Sequence, residues 1–530
     1  MSQPALVQRD LDQNTNLVLP INRIPTEILV TIFEESIYTP ELSLSLIPHV
    51  QKLHKLACVC LKWNRAVKET PSLWTVLEST TPRELVPHIL QRSRQSPLVI
   101  KCCIVAGRQA GGLLSKAYGG ARGLWDDIKS FLMIALLEIH RWRSALIRLS
   151  QADSEILEGL EKPAPLIEMV DIDIHECPQQ ANINLFDGRA SNLRSVRLCG
   201  VPFIWSQGQF SDLHNLYIST TPSSQPALAD VLMTIESSPH LRNLCLESLR
   251  MPASQGEDNL GAIKLDSLET LTLYRASSSV TQAILIRIRA PILQHLAILS
   301  RWDDGSNTSG QFIDRIPHFL PMIHSSINNA NNVELTLRHS SISIRTSGNP
   351  RIDITIDHNS SAHTLQIFLR NIIHGSASRT PIRLSIAQVP EIEWSDLGKM
   401  LSSLDGVVEL SVEDLRGDHQ HDLFRFLSTP SDASGRGNSH LKWPFPYLKK
   451  LVLPFNTMGE QIVEFVKGRY DSGSLDRSGA GGLDEGIPCS PTTLDVGKVY
   501  LTQEQYNEIS TTVGYAVVRG EVGYSYIFDS

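Results

Sequence analysis

The sequence predicts an α/β protein in which a small all-α module at the N-terminus precedes an irregular solenoid with a parallel sheet. Two helical patterns, each with one apolar face, lie within residues 22–77. Beyond them, a leucine pattern returns every 20 to 28 residues between positions 167 and 293. The hydrophobic content of 42% is ordinary for globular proteins and argues against a mainly disordered chain. A chain of 530 residues is long enough for a repeat body with an appended module.

The first helical pattern lies within residues 24–33. Its apolar residues are Ile24, Ile28, Leu29, Ile32 and Phe33. This spacing places them in a single stripe along one face of a helix. Pro25 would lie in the first turn, where the N–H that proline lacks has no helical partner. The pattern therefore predicts an amphipathic helix that begins near Pro25.

The second helical pattern ends before Pro71, because proline disfavours a helical residue in front of it. Its apolar residues are Leu53, Leu56, Ala57, Val59, Cys60, Trp63 and Val67. These positions predict one further helix, after which Leu73 and Trp74 add two large apolar side chains. A segment of about fifty residues cannot bury this much apolar surface alone, so we expect the hairpin to pack on a partner.

The order of these patterns resembles an F-box, the module by which substrate receptors of cullin–RING ubiquitin ligases bind a Skp-family adaptor. The matching words are Ile24-Pro25-x-Glu27-Ile28-Leu29-x-x-Ile32-Phe33, then Leu56-Ala57-x-Val59-Cys60-x-x-Trp63, then Leu73-Trp74. They cover roughly a tenth of the chain. The resemblance implies that the F-box core and the adaptor-binding surface are formed by Ile24, Pro25, Ile28, Leu29, Ile32, Phe33, Val59, Cys60, Trp63 and Trp74.

The sequence alone does not separate the core of this hairpin from its adaptor-facing surface. We expect a variant with Leu29→Asp and Phe33→Asp to stay folded and to lose the adaptor. One departure from a compact F-box is the enlarged loop predicted over Glu34–Lys52, which resembles the linkers of F-box proteins from mushroom-forming fungi. The alternative is an ordinary helical hairpin that only caps the domain behind it.

The leucine pattern has the form L-x-x-L-x-L, with Val, Ile or Met in place of some leucines. Its clear copies start at Ile167, Leu193, Leu213, Leu241, Leu268 and Leu293, and a later copy starts at Leu448. Weaker copies are Val333–Leu337, Ile352–Ile356, Ile382–Ile386 and Val407–Val412. The spacing falls in the range of leucine-rich repeats. The sequence thus predicts a degenerate leucine-rich-repeat array, and the alternative is a chance pattern in a strand-rich α/β protein.

In such an array, each unit is a short strand whose alternate residues enter a shared core, followed by a return segment. The residues between them face outward, and on this surface we expect a substrate to bind. Arg197, Tyr217 and His295 are the strongest candidate anchors, because interface hot spots favour Tyr and Arg. The alternative for each of them is an ordinary solvated surface residue.

The segment between the hairpin and the array carries elements of its own. Helices are predicted over Pro82–Gln95 and Leu124–His140, strands over Pro97–Val105 and Arg141–Leu149, and a glycine-rich loop over Ala106–Gly123. Flexible insertions are predicted over Ser431–His440 and Gly468–Pro491, and a helix with a terminal hairpin over Leu501–Phe528. The predicted organisation is a flexible N-terminus (1–20), the helical module (21–78), a transition region (79–150), the solenoid (151–500) and a C-terminal cap (501–530).

The sequence carries no motif that indicates catalysis or a bound cofactor. Gly107 and Gly112 have the spacing of a P-loop, but Leu113 and Leu114 stand where Lys and Ser or Thr are required. The C-x-C pair that includes Cys60 lacks a second pair for zinc, so we expect Cys60 to be a small buried residue on the second helix. We therefore expect a protein that is not an enzyme, with no catalytic, cofactor-binding or metal site.

Charge and hydropathy exclude further classes of protein. The net charge of −8 is spread along the chain without a basic block, so we expect no nucleic-acid partner. The most apolar run, Phe131–Ile139, is too short to cross a membrane. The first residues lack the apolar stretch of a secretion signal, and the eight cysteines suggest no disulfide framework. The expected location is therefore the cytoplasm or the nucleus.

Together, these patterns predict a substrate-recruiting adaptor of a Skp–cullin–F-box ubiquitin ligase. The module would bind a Skp-family adaptor and through it a cullin–RING ligase, and the repeat face would bind a protein substrate. The alternative is a leucine-rich-repeat scaffold or interaction protein with no role in a ligase. A hydrolase within the α/β body is a third reading, which would require a deep polar pocket with perturbed titratable groups.

Overall fold

A computed structural model of the protein describes part of the chain. The described residues are 20–37, 48–103, 121–177, 183–201, 203–204, 210–221, 225–250, 261–301, 319–338, 341–357, 380–387, 397–398, 401, 404, 406–413, 417–429, 431–432, 441–442, 444–453, 457, 459–470, 493–495, 501–513 and 517–519. The chain divides into two compact units. The first comprises Met1–Asp258 and Ile263–Leu268, and the second comprises Asn259–Ala262 and Glu269–Ser530.

The first unit begins with a helical module. Its helices are α1 (Pro20–Arg23), α2 (Thr26–Ile37), α3 (His49–Ala57) and α4 (Leu61–Glu69), followed by a 3-10 helix at Pro71–Trp74. The prediction of a single second helix is wrong, because the chain is extended at Cys60 (φ −158°, ψ 171°) between α3 and α4. The Asn64 amide donates to the Ala57 carbonyl oxygen at 3.0 Å, so a side chain satisfies a carbonyl at the end of α3.

The connection between α2 and α3 is shorter than predicted. Residues 34–37 continue α2 to Ile37, and α3 already begins at His49, so the predicted loop over Glu34–Lys52 is wrong at both ends. The connecting residues 38–47 lie outside the described part of the chain. The buried face of α2 consists of Leu29, Phe33 and Ile37, which are four residues apart. Because Ile37 adds one more turn to this face, the helix continues past Phe33, where the predicted stripe ends.

A parallel sheet follows the module in the first unit. Its strands are β1 (Val76–Glu78), β2 (Leu98–Cys103), β3 (Trp142–Gln151), β4 (Met169–Glu176), β5 (Ser195–Cys199), β6 (Asn215–Ser219) and β7 (Asn243–Glu247), and the short strand β8 is Ile263–Lys264. From β1 to β7, each strand pairs in parallel with the next one along the chain. The connecting helices are α5 (Val86–Ser93), α6 (Ala121–Leu137), α7 (Ser154–Leu160) and α8 (Leu228–Glu236), with 3-10 helices at Arg83–Leu85, Ile139–Arg141 and Leu185–Gly188.

The second unit also contains a mostly parallel sheet. Its strands are β9 (Thr270–Ser277), β10 (Ile288–Arg289), β11 (His295–Arg301), β12 (Asn332–Arg338), β13 (Ser341–Ser347), β14 (Arg351–Asp357), β15 (Ile382–Ala387), β16 (Val407–Glu413), β17 (Ser431–Asp432), β18 (Leu441–Lys442), β19 (Lys450–Val452), β20 (Thr493–Asp495) and β21 (Val517–Arg519). Its helices are α9 (Ser278–Arg287), α10 (Leu320–Asn329), α11 (Gly417–Ser428), α12 (Gly459–Tyr470) and α13 (Gln503–Val513). One series of parallel pairs joins β9 to β11 and β11 to β14. A second series joins β12, β15, β16, β19, β20 and β21 in that order.

The predicted fold class is confirmed as a helical module followed by a solenoid-like α/β arrangement with mostly parallel strands. Each clear copy of the leucine pattern is followed, two residues after its start, by the first residue of a strand. The alternate residues of these strands are buried, as Val170 and Ile172 in β4 and Leu244 and Leu246 in β7 show. Each weaker copy also coincides with a strand.

The sheet of the second unit departs from chain order at β13. This strand pairs antiparallel with both β12 and β14, so the order across the sheet is β11, β14, β13, β12, β15. The connections on either side of β13, residues 339–340 and 348–350, are too short for a parallel crossover. Prediction from the leucine pattern missed β13, since this strand carries no copy of the pattern.

The transition region belongs to the sheet of the first unit. Strands β2 and β3 lie where strands are predicted and pair with each other, and β1 begins that sheet at Val76. The helix predicted over Leu124–His140 is α6 followed by a 3-10 turn. Most of the predicted glycine-rich loop and of the two predicted insertions lies outside the described residues. At the C-terminus, α13 is present, β21 pairs in parallel with β20, and the predicted turn at 520–521 lies outside the described residues.

Candidate protein-docking surfaces

The helical module has a closed apolar core. The buried residues of this core are Leu29, Phe33, Ile37, Leu53, Ala66, Val67 and Leu73, and Leu56, Ala57, Trp63 and Trp74 pack against it. The rings of Phe33 and Trp63 lie 4.8 Å apart at 60°. The Trp74 indole N–H donates to the Val67 carbonyl oxygen at 2.7 Å, which fixes the 3-10 helix against α4. These contacts satisfy one face of each helix within the module itself.

A second set of apolar side chains in the module is exposed, and we call it the apolar patch. It consists of Ile28 (53% exposed), Ile32 (40%), Val59 (58%) and Leu61 (51%). Ile28 and Ile32 lie one turn apart on the same face of α2. The Lys62 ammonium donates to the Ile24 carbonyl oxygen at 2.6 Å, so the start of α4 is held against the start of α2. These four large apolar side chains are therefore left uncovered by the module itself.

The structure divides the predicted F-box residues into three groups. Pro25, Ile28, Ile32 and Val59 are exposed, Leu29 and Phe33 are buried, and Ile24, Cys60, Trp63 and Trp74 are partly buried. The expected variant with Leu29→Asp and Phe33→Asp was a wrong choice, because these side chains are 0% and 1% exposed and their change would break the core. Cys60 lies between two helices and not on one, which corrects its predicted position. The sequence also missed Leu61, whose exposure depends on α4 beginning there.

The module is tied to the sheet through His49 at the start of α3. Its backbone N–H donates to the Glu78 carboxylate in β1 at 2.7 Å, and its ring Nε2 lies 2.9 Å from the Leu73 carbonyl oxygen. Burial lowers the pKa of His49 below 6.5, and nearby Lys52 and Lys101 act in the same direction, while the bond to Leu73 opposes the shift. The neutral imidazole is therefore favoured in the folded protein.

The predicted anchors Arg197 and Tyr217 lie side by side on the strands of the first unit. The Arg197 guanidinium carbon lies 4.0 Å from the centre of the Tyr217 ring, a cation–π contact between β5 and β6. Arg197 and Arg148 flank Asp171 on β4, with N–O distances of 3.4 and 3.2 Å. The Tyr217 hydroxyl donates to the Glu247 carboxylate on β7. The structure thus places both anchors in one polar row across neighbouring strands.

Burial raises the pKa values of several side chains in this row. The Asp171 side chain is 4% exposed, and burial raises the pKa of its carboxyl, an effect that Arg148 and then Arg197 oppose. Burial also raises the pKa of Cys199 to about 11 and of Cys245 to about 12. These thiols therefore stay protonated at neutral pH, so the row offers hydrogen bonds and charge to a ligand and no thiolate nucleophile.

The third predicted anchor, His295, belongs to the second unit. It begins β11, opposite Thr270 in β9 and Arg351 in β14. Burial lowers the pKa of His295, and the neighbouring Arg351 acts in the same direction. The structure thus brings two of the predicted anchors together and places the third in the other unit.

A row of alternating charges crosses six strands of the second unit, and we call it the charge ladder. In spatial order its members are Asp353, Arg345, Glu334, Arg383, Glu409 and Lys450, and each stands opposite the next in strand register. Ion pairs join Arg345 to Asp353 at 3.1 Å and Arg383 to Glu409 at 3.2 Å. The sequence did not reveal this ladder, because the pairing depends on the register between strands that are distant in the chain.

No described helix combines the length and the apolar character needed to cross a membrane. No group of three or more His, Cys, Asp or Glu side chains within the described ranges has the geometry to hold a metal ion.

Comparison with known families assigns the helical module. Residues 21–77 match the family described as F-box-like. A comparison with curated proteins finds no match for the chain. The match ends within β1, so it shows an F-box-like domain that is followed by the mostly parallel α/β arrangement. F-box domains generally bind Skp-family adaptors.

Proposed function

We propose that the protein is a substrate-recruiting adaptor of a Skp–cullin–F-box ubiquitin ligase. The observation that carries the proposal is the apolar patch on a domain of the F-box-like family. The core of this domain is already closed without the patch residues, so these side chains are available to a partner. In the proposal, the module binds a Skp-family adaptor and through it a cullin–RING ligase.

The size of the patch indicates what it contributes to binding. Full burial of a large aliphatic side chain stabilises by about 1.5–3 kcal/mol, so four half-exposed ones contribute about 3–6 kcal/mol in total. Association costs about 4–15 kcal/mol in lost freedom. In the proposal, the patch therefore forms the centre of the interface, and polar contacts around it provide the rest of the binding free energy.

We further propose that the strand rows bind the substrate and that the chain itself is not an enzyme. Arg197 and Tyr217 provide a charged and aromatic pair that is partly exposed on β5 and β6. The leucine pattern supports a degenerate leucine-rich-repeat array, and the likeness to proteins of mushroom-forming fungi stays a prediction. An adaptor of this kind would act in the cytoplasm or the nucleus.

The test of this proposal is co-purification of the full chain with a Skp-family adaptor. We expect Ile28→Asp/Ile32→Asp to remain folded and to lose the adaptor, because both side chains are exposed and both would carry charge into an apolar interface. The matched control is Leu137→Asp, a change of the same chemistry at a 69% exposed leucine outside the module. We expect this control to retain the adaptor.

Undiminished co-purification of the Ile28→Asp/Ile32→Asp variant would contradict the proposed docking surface. Failure of the unchanged protein to bind any Skp-family adaptor would favour the alternative, a scaffold or interaction protein without a role in a ligase. Circular dichroism of each variant checks that a loss of binding is not a loss of folding.

A further inference from the structure

A groove of about 710 Å³ separates the F-box-like module from the helix that follows it. One wall is formed by α3 and α4, and the other by α5 with the 3-10 turn before it. The apolar side chains that line the groove are Val50, Leu53, Ala57, Val67, Trp74, Leu85 and Ile89. This volume falls in the range of sites that enclose a small ligand or several side chains of a peptide. The groove and the apolar patch share no residue.

Both walls of the groove are fixed by hydrogen bonds. Arg141 donates to the Ser93 hydroxyl at 2.8 Å and to the Ser96 carbonyl oxygen at 2.9 Å, which anchors the end of α5 to the start of β3. The bond from Trp74 to Val67 anchors the opposite wall. The groove is therefore built into the fold, and a ligand would meet a surface that is already ordered.

The polar side chains at the groove are cationic or neutral. Those that line it are Gln51, His54, Lys55, Asn64, Lys68, His88 and Arg92. Lys55 and Lys68 are exposed and form no ion pair within the described residues. The Arg92 guanidinium carbon lies 4.5 Å from the centre of the Trp74 ring, which holds a third positive charge at the apolar wall.

The described lining of the groove contains cationic side chains and no carboxylate. Within the described segment 48–103, no Asp or Glu belongs to the lining residues, although the whole chain carries a net charge of −8. An apolar floor with a positive rim is complementary to a ligand that has apolar side chains on one face and carboxylates on the other.

The walls also restrict the backbone of the ligand. All lining residues belong to helices or to the turn at Cys58, so the groove offers no strand edge with free N–H and C=O groups. An extended peptide on this apolar floor would leave its backbone polar groups unsatisfied, whereas a helix satisfies them internally. Helical segments bind such grooves through apolar anchors spaced three or four residues apart.

We propose that this groove binds an acidic amphipathic helix of a partner protein other than the Skp-family adaptor. The apolar face of that helix lies on Leu53, Val67 and Ile89, and its carboxylates face Lys55, Lys68 and Arg92. The proposed adaptor binds at the apolar patch, so the module carries two separate sites. Because the groove lies beside the sheet-bearing part of the chain, this second site suits a substrate or regulator held next to the ligase.

The experiment uses the full chain and a fluorescent peptide of about 15 residues, long enough to form a helix. The peptide carries Leu at helical i, i+3, i+4 and i+7 spacing and Glu at the other positions. Two further peptides replace every Glu by Lys or every Leu by Ser. Fluorescence anisotropy, recorded at low and at high salt, measures the affinity of each peptide.

We expect the Glu-and-Leu peptide to bind and both further peptides to bind at least about tenfold more weakly, a difference of about 1.4 kcal/mol. Lys55→Glu/Lys68→Glu should weaken binding of the first peptide by a similar factor, and high salt should weaken it in the unchanged protein. Arg65→Glu is the matched control, since it reverses an exposed charge on α4 outside the groove. Leu85→Asp, on the opposite wall, should also weaken binding.

Equal binding of the Glu and Lys peptides, or undiminished binding to Lys55→Glu/Lys68→Glu, would overturn the proposal. Displacement of the peptide by dodecanoate below its micelle-forming concentration would assign the groove to an anionic lipid and overturn it as well. The double variant should still co-purify with a Skp-family adaptor. Loss of the adaptor from this variant would show that the groove is part of the adaptor site. Failure of the proposed docking at the apolar patch would instead appear as undiminished co-purification of the Ile28→Asp/Ile32→Asp variant.

Discussion

At the scale of single residues, His49 makes the stability of the module depend on pH. Burial lowers the pKa of this imidazole below 6.5, its value in an unfolded chain. The unfolded state therefore binds a proton more readily than the folded state as the pH falls below about 6.5. We expect the contribution of His49 to stability to be complete above this pH and to be lost progressively below it. Thermal unfolding of the full chain at about pH 7.5 and about pH 5.5 measures the effect.

A variant without the imidazole tests the role of His49 in the pH dependence of unfolding. His49→Gln should reduce that dependence, because an amide does not titrate in this range. An identical loss of stability at low pH in His49→Gln and in the unchanged protein would show that other groups cause it.

At the scale of elements, the charge ladder couples the strands of the second unit. Glu409 on β16 lies between Arg383 on β15 and Lys450 on β19, and it contacts both. Glu409→Gln removes the carboxylate and leaves the two cations on either side of a neutral side chain. These pairs are partly exposed, so we expect a loss of about 1 kcal/mol. Hydrogen exchange should report opening of β15, β16 and β19 about fivefold more often.

Two controls, a matched variant and high salt, distinguish a loss of ion pairs in the charge ladder from a general weakening of β16. Glu413 is exposed at the end of the same strand β16, and no ion pair is described for it. Glu413→Gln should therefore leave hydrogen exchange of these strands unchanged. High salt should reduce the difference between Glu409→Gln and the unchanged protein, because it screens exposed charges. A difference that persists at high salt would mean that the ladder acts through packing.

Elements defined by one local pattern could be predicted from the sequence, and those defined by distant contacts could not. The strand that contains Leu244 and Leu246 follows from alternation, because each inward residue is buried by its own neighbours in the stack. The break at Cys60 was missed, because apolar spacing continues through it and only the extended backbone reveals two helices. The sequence also did not show that Ile32 is exposed and Phe33 is buried. A stripe of apolar residues does not indicate which of its side chains pack into the core of the module and which stay exposed.

At the scale of the whole molecule, the F-box-like module and the first sheet are continuous. The predicted boundary at residue 78 would assign β1 to the module, yet β1 pairs with β2 in parallel and Leu77 is 0% exposed. His49 binds Glu78 in this same strand through its backbone N–H. The module thus contributes an edge strand to the sheet, and its removal has consequences for the rest of the unit.

This continuity predicts different behaviour for two shortened chains. A chain that starts at Ser79 loses β1, so β2, with Leu98 and Ile100 fully buried in the complete protein, becomes an open apolar edge. The loss of Leu77 alone should cost about 2–5 kcal/mol. A chain that starts at Pro71 lacks the same helices but keeps β1. We expect size-exclusion chromatography with light scattering to show aggregation of the first and a monomer for the second.

Both shortened chains lose the apolar patch, so neither should co-purify with a Skp-family adaptor, and adaptor binding cannot explain a difference between them. The comparison therefore isolates residues 71–78, which are the 3-10 helix Pro71–Trp74, Thr75 and the three residues of β1. Equal solubility and equal unfolding temperatures would mean that β2 tolerates an open edge, and the sheet would then be independent of the module. Aggregation of the Ser79 chain alone would mean that an F-box-like domain in this protein also closes the sheet behind it.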